Sequence, residues 1–178
     1  MPDRPIFDAA YGVTRAAALT TALLCEDAAP RRVAAVFAAG GEPTPRVTAA
    51  DVVALRAVAL RVREVLAAPD MATAAARINA LLADYAQPPR LTDSGGRSTW
   101  HIHVHEDGVT LATRFAASSA LSLATVLAER QRLPGGICTA PGCERPFADV
   151  GGGMPRRYCS ERCATRARVA AYRSRHAA

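Results

Sequence analysis

Lysine is absent: all 22 basic residues of the 178-residue chain are arginine. Alanine is abundant, and the two biases together reflect a GC-rich genome as much as selection for guanidinium chemistry, so arginine alone identifies no partner. Nor does any uncharged apolar run reach the roughly 20 residues that a membrane-spanning helix needs. The longest, Ala16 to Cys25 and Phe115 to Ala128, read as buried helices, and no membrane partner is expected. The opening Met1-Pro-Asp-Arg-Pro-Ile-Phe lacks the basic flank and apolar centre of a secretory signal, which predicts a reducing, cytoplasmic setting. Nucleophile–base pairings, glycine-rich phosphate loops and paired carboxylates are also missing, so the chain is expected not to be an enzyme.

What is present concentrates at the C-terminal end. Four of the five cysteines form two close pairs, Cys138-x4-Cys143 and Cys159-x3-Cys163, separated by fifteen residues. That spacing lets four thiolates converge on one tetrahedral Zn²⁺, each pair supplied by a turn or a helix start. Two disulfides would need an oxidising compartment, contrary to the expected location. Residues 134–178 also hold few large apolar side chains, too few to fold unaided, so a structural metal is the expected staple. Ser160 is placed to cap a helix that carries Cys163 one turn beyond Cys159. Cys25, at the end of the first predicted helix, reads as a small core residue.

Charge is equally uneven. Residues 1–133 carry 14 arginines against 13 acidic residues, whereas residues 134–178 carry 8 against 3. Zinc with four thiolates adds −2, leaving the C-terminal segment at about +3. At 100° per residue, Arg162, Arg166 and Arg173 form one stripe of the last helix and Arg168 and Arg175 a second, while Cys163, Ala167 and Ala170 take the inner side. With Arg156 and Arg157 on the preceding loop, these side chains make the footprint expected of a phosphate-binding surface.

The rest of the chain predicts a mainly α (α+β) fold: a multi-helical body over residues 1–133 and a four-cysteine zinc-finger module, residues 134–178, ending in a helix. Asp8, Thr48 with Asp51, and Asp70 are helix starts, and Pro30 suits the first turn of a second helix that stops at Gly40-Gly41. Thr99 to His105 alternates, Asp107-Gly108 resembles a turn, and Val109 to Thr113 alternates again, predicting one small β-hairpin near 98–113. A helix from about Arg114 to Gln131 follows, then a short hinge at Pro134-Gly135-Gly136. In the hairpin, Trp100, Ile102 and Val104 share the core parity, leaving His101, His103 and His105 facing solvent. Three imidazoles at that spacing make a metalloenzyme conceivable, but alternate side chains on one strand stand too far apart for a single ion.

Several segments are similar to a known family. Phe147-x-Asp149, Arg156-Arg157-Tyr158-Cys159-Ser160 and the run from Cys163 through Arg166, Arg168 and Tyr172 to Arg175 resemble the CGNR-type zinc finger of bacterial ABATE-domain proteins, which are stress-responsive transcription regulators. Cys163-Ala164-Thr165-Arg166 stands where that family has Cys-Gly-Asn-Arg, and Tyr158 and Arg168 stand where Trp and Lys are usual. Thr48 to Arg56 and Arg77 to Leu82 resemble the ABATE domain through commoner helical residues. The resemblance implies a DNA-binding regulator that holds one zinc, contacts duplex DNA, and has a helical body for sensing a small-molecule effector or forming a homodimer. A zinc-stapled protein-interaction module is the competing expectation; it accounts for the cysteines but not for the charge asymmetry.

Overall fold

The computed structural model describes residues 8–39, 44–93, 95–96 and 100–176. The expected Gly40-Gly41 stop and Thr99 of the expected strand lie outside them. Five helices make the body: α1 (Ala9–Leu24), α2 (Pro30–Ala39), α3 (Ala49–Leu66), α4 (Met71–Tyr85) and α5 (Leu111–Arg130). Each of four starts is fixed by a side-chain cap that satisfies an otherwise orphaned amide. Asp8 accepts from the Tyr11 N–H, Asp70 from that of Thr73 and Thr110 from that of Thr113, while Thr48 and Asp51 close a reciprocal capping box.

The core lies where α5 meets α1, α3 and α4. Its buried side is built largely of small residues, Ala112, Ala116, Ser119, Ala120 and Ser122, which let neighbouring helices approach closely. At Gly12 of α1 the approach is tightest, since a Cβ there would stand 2.0 Å from Oγ of Ser122. Glycine costs helix propensity in the first turn, and close α1–α5 packing is what it permits. Larger side chains, among them Leu19, Leu23, Leu55, Ile78, Leu81 and Leu123, fill the space between helices. By length and composition α5 is apolar enough to cross a membrane, since it starts at Leu111 and runs longer than the sequence run from Phe115 to Ala128; half of it is buried inside the bundle.

Among the described residues, two short antiparallel sheets complete the fold. Strand β1 (Arg90–Thr92) pairs with β2 (His101–His103) in the register Arg90↔His103, and β3 (Gly135–Ile137) pairs with β4 (Pro146–Ala148) in the register Gly135↔Ala148. The expected hairpin partner of the histidine strand is therefore wrong. Leu111 to Thr113 opens α5, and Thr110, read as part of a second strand, is its N-cap. The strand parity is corrected too: Trp100 is 71% exposed and Ile102 is also exposed, only Val104 is buried, and His101, His103 and His105 are half-buried instead of solvent-facing.

The expected hinge at Gly135-Gly136 is strand β3. A Cβ on Gly135 would meet the Phe147 carbonyl oxygen at 2.1 Å and Leu66 Cδ2 at 2.8 Å, so glycine lets the sheet lie against the end of α3. Ala148 joins the main core, and Ile137 and Val150 pack against it. Helix α6 (Glu161–His176) then leaves this platform, with every residue from Ala171 to His176 exposed.

Candidate metal centre

The β3–β4 hairpin positions the first cysteine pair. Cys138 follows β3 directly and donates its N–H to the Arg145 carbonyl at 2.9 Å; the Cys143 N–H closes a turn on the Ala140 carbonyl at 2.9 Å. Gly142 adopts φ +66 within that turn, a conformation glycine reaches without steric cost. The second pair is placed by α6. Ser160 Oγ accepts from the Cys163 N–H at 3.2 Å, capping the helix as its position predicted, and the first turn brings Cys163 Sγ to 3.6 Å from Cys159 Sγ. The two halves are tied by Thr139, whose N–H and hydroxyl both donate to the Arg157 carbonyl, at 3.1 and 3.2 Å.

All four sulfurs lie within 4.8 Å of one another, and all four cysteines are free of disulfides. Cys143 and Cys159 sulfurs stand 3.8 Å apart. A tetrahedron with metal–sulfur distances near 2.3 Å has edges of about 3.8 Å, so the cage already has zinc dimensions. Ser160 draws the Cys163 thiol down to about 7, whereas burial pushes the Cys159 thiol up to about 12. Four thiolates held this close repel one another, and a divalent ion offsets their charge. The centre holds one structural zinc, with Cys138, Cys143, Cys159 and Cys163 as its closed ligand set.

Around the sulfurs the arginines divide by role. Arg166 Nη2 approaches Cys163 Sγ at 3.4 Å and so faces the thiolate charge. Arg156 is turned inward: its guanidinium reaches the carbonyls of Ala148, Tyr158 and Cys159 at 3.2–3.4 Å and sits over the Phe147 ring. Arg168 donates to Thr165 Oγ1 at 3.1 Å, and Arg157 lies over the Tyr158 ring. Among the described residues, no hydrogen bond or ion pair engages the side chains of Arg162, Arg173 and Arg175.

Two features were not read from the sequence. Asp149 is a buried carboxylate that accepts from the Arg156 N–H; its place in Phe147-x-Asp149 was the available signal. On α6, Thr165, Val169, Tyr172 and His176 form an outward ridge about opposite Cys163, Ala167 and Ala170. Val169 and Tyr172 are 43% and 57% exposed, and the Tyr172 and His176 rings stack with centroids 4.1 Å apart. The ridge is flanked by Arg162, Arg166 and Arg173 on one side and Arg168 and Arg175 on the other. Charge dominates this helix in the sequence, and the apolar strip between the arginine stripes stands out only through its exposure.

Residues 135–176 match the CGNR zinc finger family, a span that begins with β3 and ends with α6. No curated protein matches the chain.

Proposed function

We propose that the zinc module binds duplex DNA through α6 and that the chain is a bacterial transcription regulator. The observation that carries this reading is the outward face of α6: an exposed ridge of Thr165, Val169 and Tyr172 between two stripes of arginine, three of whose guanidiniums have no internal partner among the described residues. A helix fits the major groove, where a methyl-bearing or aromatic side chain meets base edges and thymine methyls while flanking guanidiniums reach phosphates. Zinc fixes the root of the helix, and the free last two turns are the part that enters the groove. Arg162, Arg173 and Arg175 supply the phosphate contacts, joined by Arg157 and Arg168; Arg156 and Arg166 act chiefly by bracing the finger.

A module of about +3 binds weakly alone, so useful affinity needs a homodimer or a second surface. The helical body would provide dimerisation or effector sensing, as the resemblance to ABATE-domain regulators implies. Free thiols in the metal cage fit the reducing cytoplasm.

Exposed Val169 and Tyr172 also suit a protein partner, which keeps a zinc-stapled interaction module as the second reading. Fluorescence anisotropy with a random duplex library at low salt separates the two. DNA binding requires wild-type protein to bind and zinc-loaded R162Q/R173Q/R175Q to lose most of its affinity; Arg166 is left intact because it contacts the cage. No binding by wild type, or equal binding by the variant, favours the interaction module.

A further inference from the structure

Strand β2 ends at His103, and the chain then leaves the ladder. Val104 turns into the interior at 4% exposure and its carbonyl accepts from the Gln87 N–H at 2.8 Å. On a continuous strand, alternate side chains stand too far apart to share an ion; the bend removes that constraint. His105 folds back over His103 with ring centroids 4.0 Å apart, and Nε2 of His103 lies 3.1 Å from Nδ1 of His105. His101 remains on the strand, edge-on to His103 at 5.7 Å between centroids. Two imidazole nitrogens thus converge, those of His103 and His105, and not the three of the histidine triplet read in the sequence. Asp107 Oδ1 lies 3.8 Å from the same His103 Nε2, with Arg90 Nη2 beside it at 3.6 Å.

A nitrogen–nitrogen separation of 3.1 Å fits a hydrogen bond between two neutral rings, and it equally fits two lone pairs aimed at one cation. Ligands about 2.1 Å from a tetrahedral zinc stand about 3.4 Å apart, so the pair needs to open by only a few tenths of an ångström. Oxygen donors stand beside the pair. The Asp107 carboxylate is highly exposed and pairs with Arg90, so it joins an ion by exchanging that partner, and the Glu106 carbonyl stands 3.0 Å from His105 Nδ1. The His103 side chain is only 15% exposed.

We propose that His103 and His105, with Asp107, form a second, exchangeable divalent-metal site on the helical body, suited to zinc. Imidazole and carboxylate together favour such an ion, and so few protein ligands leave positions for water, unlike the closed four-cysteine cage. The ion would staple β2 to the turn that precedes α5. This inference is independent of DNA binding.

Full-length protein dialysed against micromolar Zn²⁺ and analysed for metal content tests it. Two zinc ions per chain are expected for wild type and for H101Q, and one for H103Q/H105Q. One ion in wild type, or two in H103Q/H105Q, overturns the site. Because the double variant can fail for lack of folding, histidine ring NMR signals of wild type provide a second reading; there are only four histidines. Adding the second equivalent should shift His103 and His105 and leave His176 in place, whereas unmoved His103 and His105 signals overturn the proposal. D107N should weaken the second equivalent about tenfold, and unchanged affinity would remove Asp107 from the ligand set.

Discussion

Asp149 Oδ2 accepts the backbone N–H of Arg156 at 3.0 Å, and Oδ1 of the same buried carboxylate lies 3.7 Å from Arg132 Nη2. One side chain thus joins the exit of β4 to the loop before Cys159 and to the residues that follow α5. Arg132 continues the link, donating to the carbonyls of Gly151 and Gly153. Asp149→Ala strands the Arg156 amide and takes a carboxylate from Arg132, which keeps its two glycine carbonyls, and is expected to cost about 2 kcal/mol. Asp149→Asn, which keeps an acceptor oxygen, should cost less. Urea denaturation of zinc-loaded protein measures both, and an alanine variant as stable as wild type would remove Asp149 from this role.

The contact between Gly12 and Ser122 predicts a coupled pair. Gly12→Ala improves helix propensity yet should destabilise by about 1–3 kcal/mol, because the new methyl overlaps Ser122. In the double variant G12A/S122G the clash is relieved and part of the loss should return. Additive losses in the thermal midpoints would place the cost elsewhere.

Zinc removal should not be confined to the finger. Cys163→Ser opens the cage, and hydrogen exchange should then become fast throughout α6 and the β3–β4 hairpin. Since Ala148 belongs to the main core and Leu66 rests against Gly135, the thermal midpoint of α1–α5 should fall as well, while most of their helical circular dichroism persists. Unchanged exchange in α6 would contradict a structural role for the metal.

The caps give a pH dependence. Hydrogen bonds from Thr48 hold the Asp51 carboxyl below its usual range, and bonds from Thr73 do the same for Asp70. A carboxyl whose folded pKa is depressed stabilises fully above its unfolded value, near 3.9, and loses that contribution as pH falls through the folded value. Stability should therefore decline below about pH 4, and the decline should be shallower in D51N/D70N. Identical acid profiles would mean that these caps contribute nothing to it.

Elements specified by near neighbours were legible in the sequence. Caps act over three residues, so Asp8, Thr48 and Asp70 marked their helices correctly, and cysteine spacing together with Ser160 placed the metal cage. The histidine strand was recognised by alternation, but its partner was not, because pairing with Arg90 to Thr92 spans a connection that carries no register signal. Asp107-Gly108 imitated a hairpin turn, and Thr110 with Thr113, a local cap like the others, was overlooked in its favour. Trp100 and Ile102 obeyed the period of a strand, yet a two-stranded ribbon at the edge of a helical bundle need not bury the face that looks apolar. Asp149 was legible only as a family likeness, since its partners Arg132 and Arg156 are set by how the platform folds.

The most direct test of the central claim is the salt dependence of duplex binding by zinc-loaded wild-type protein. With four or five phosphate contacts from the α6 face and its flanking loop, a plot of the logarithm of the association constant against that of salt concentration should have a slope near −4, reduced by about two units in R162Q/R173Q. A slope near zero, or one that the variant leaves unchanged, would contradict DNA recognition by this helix.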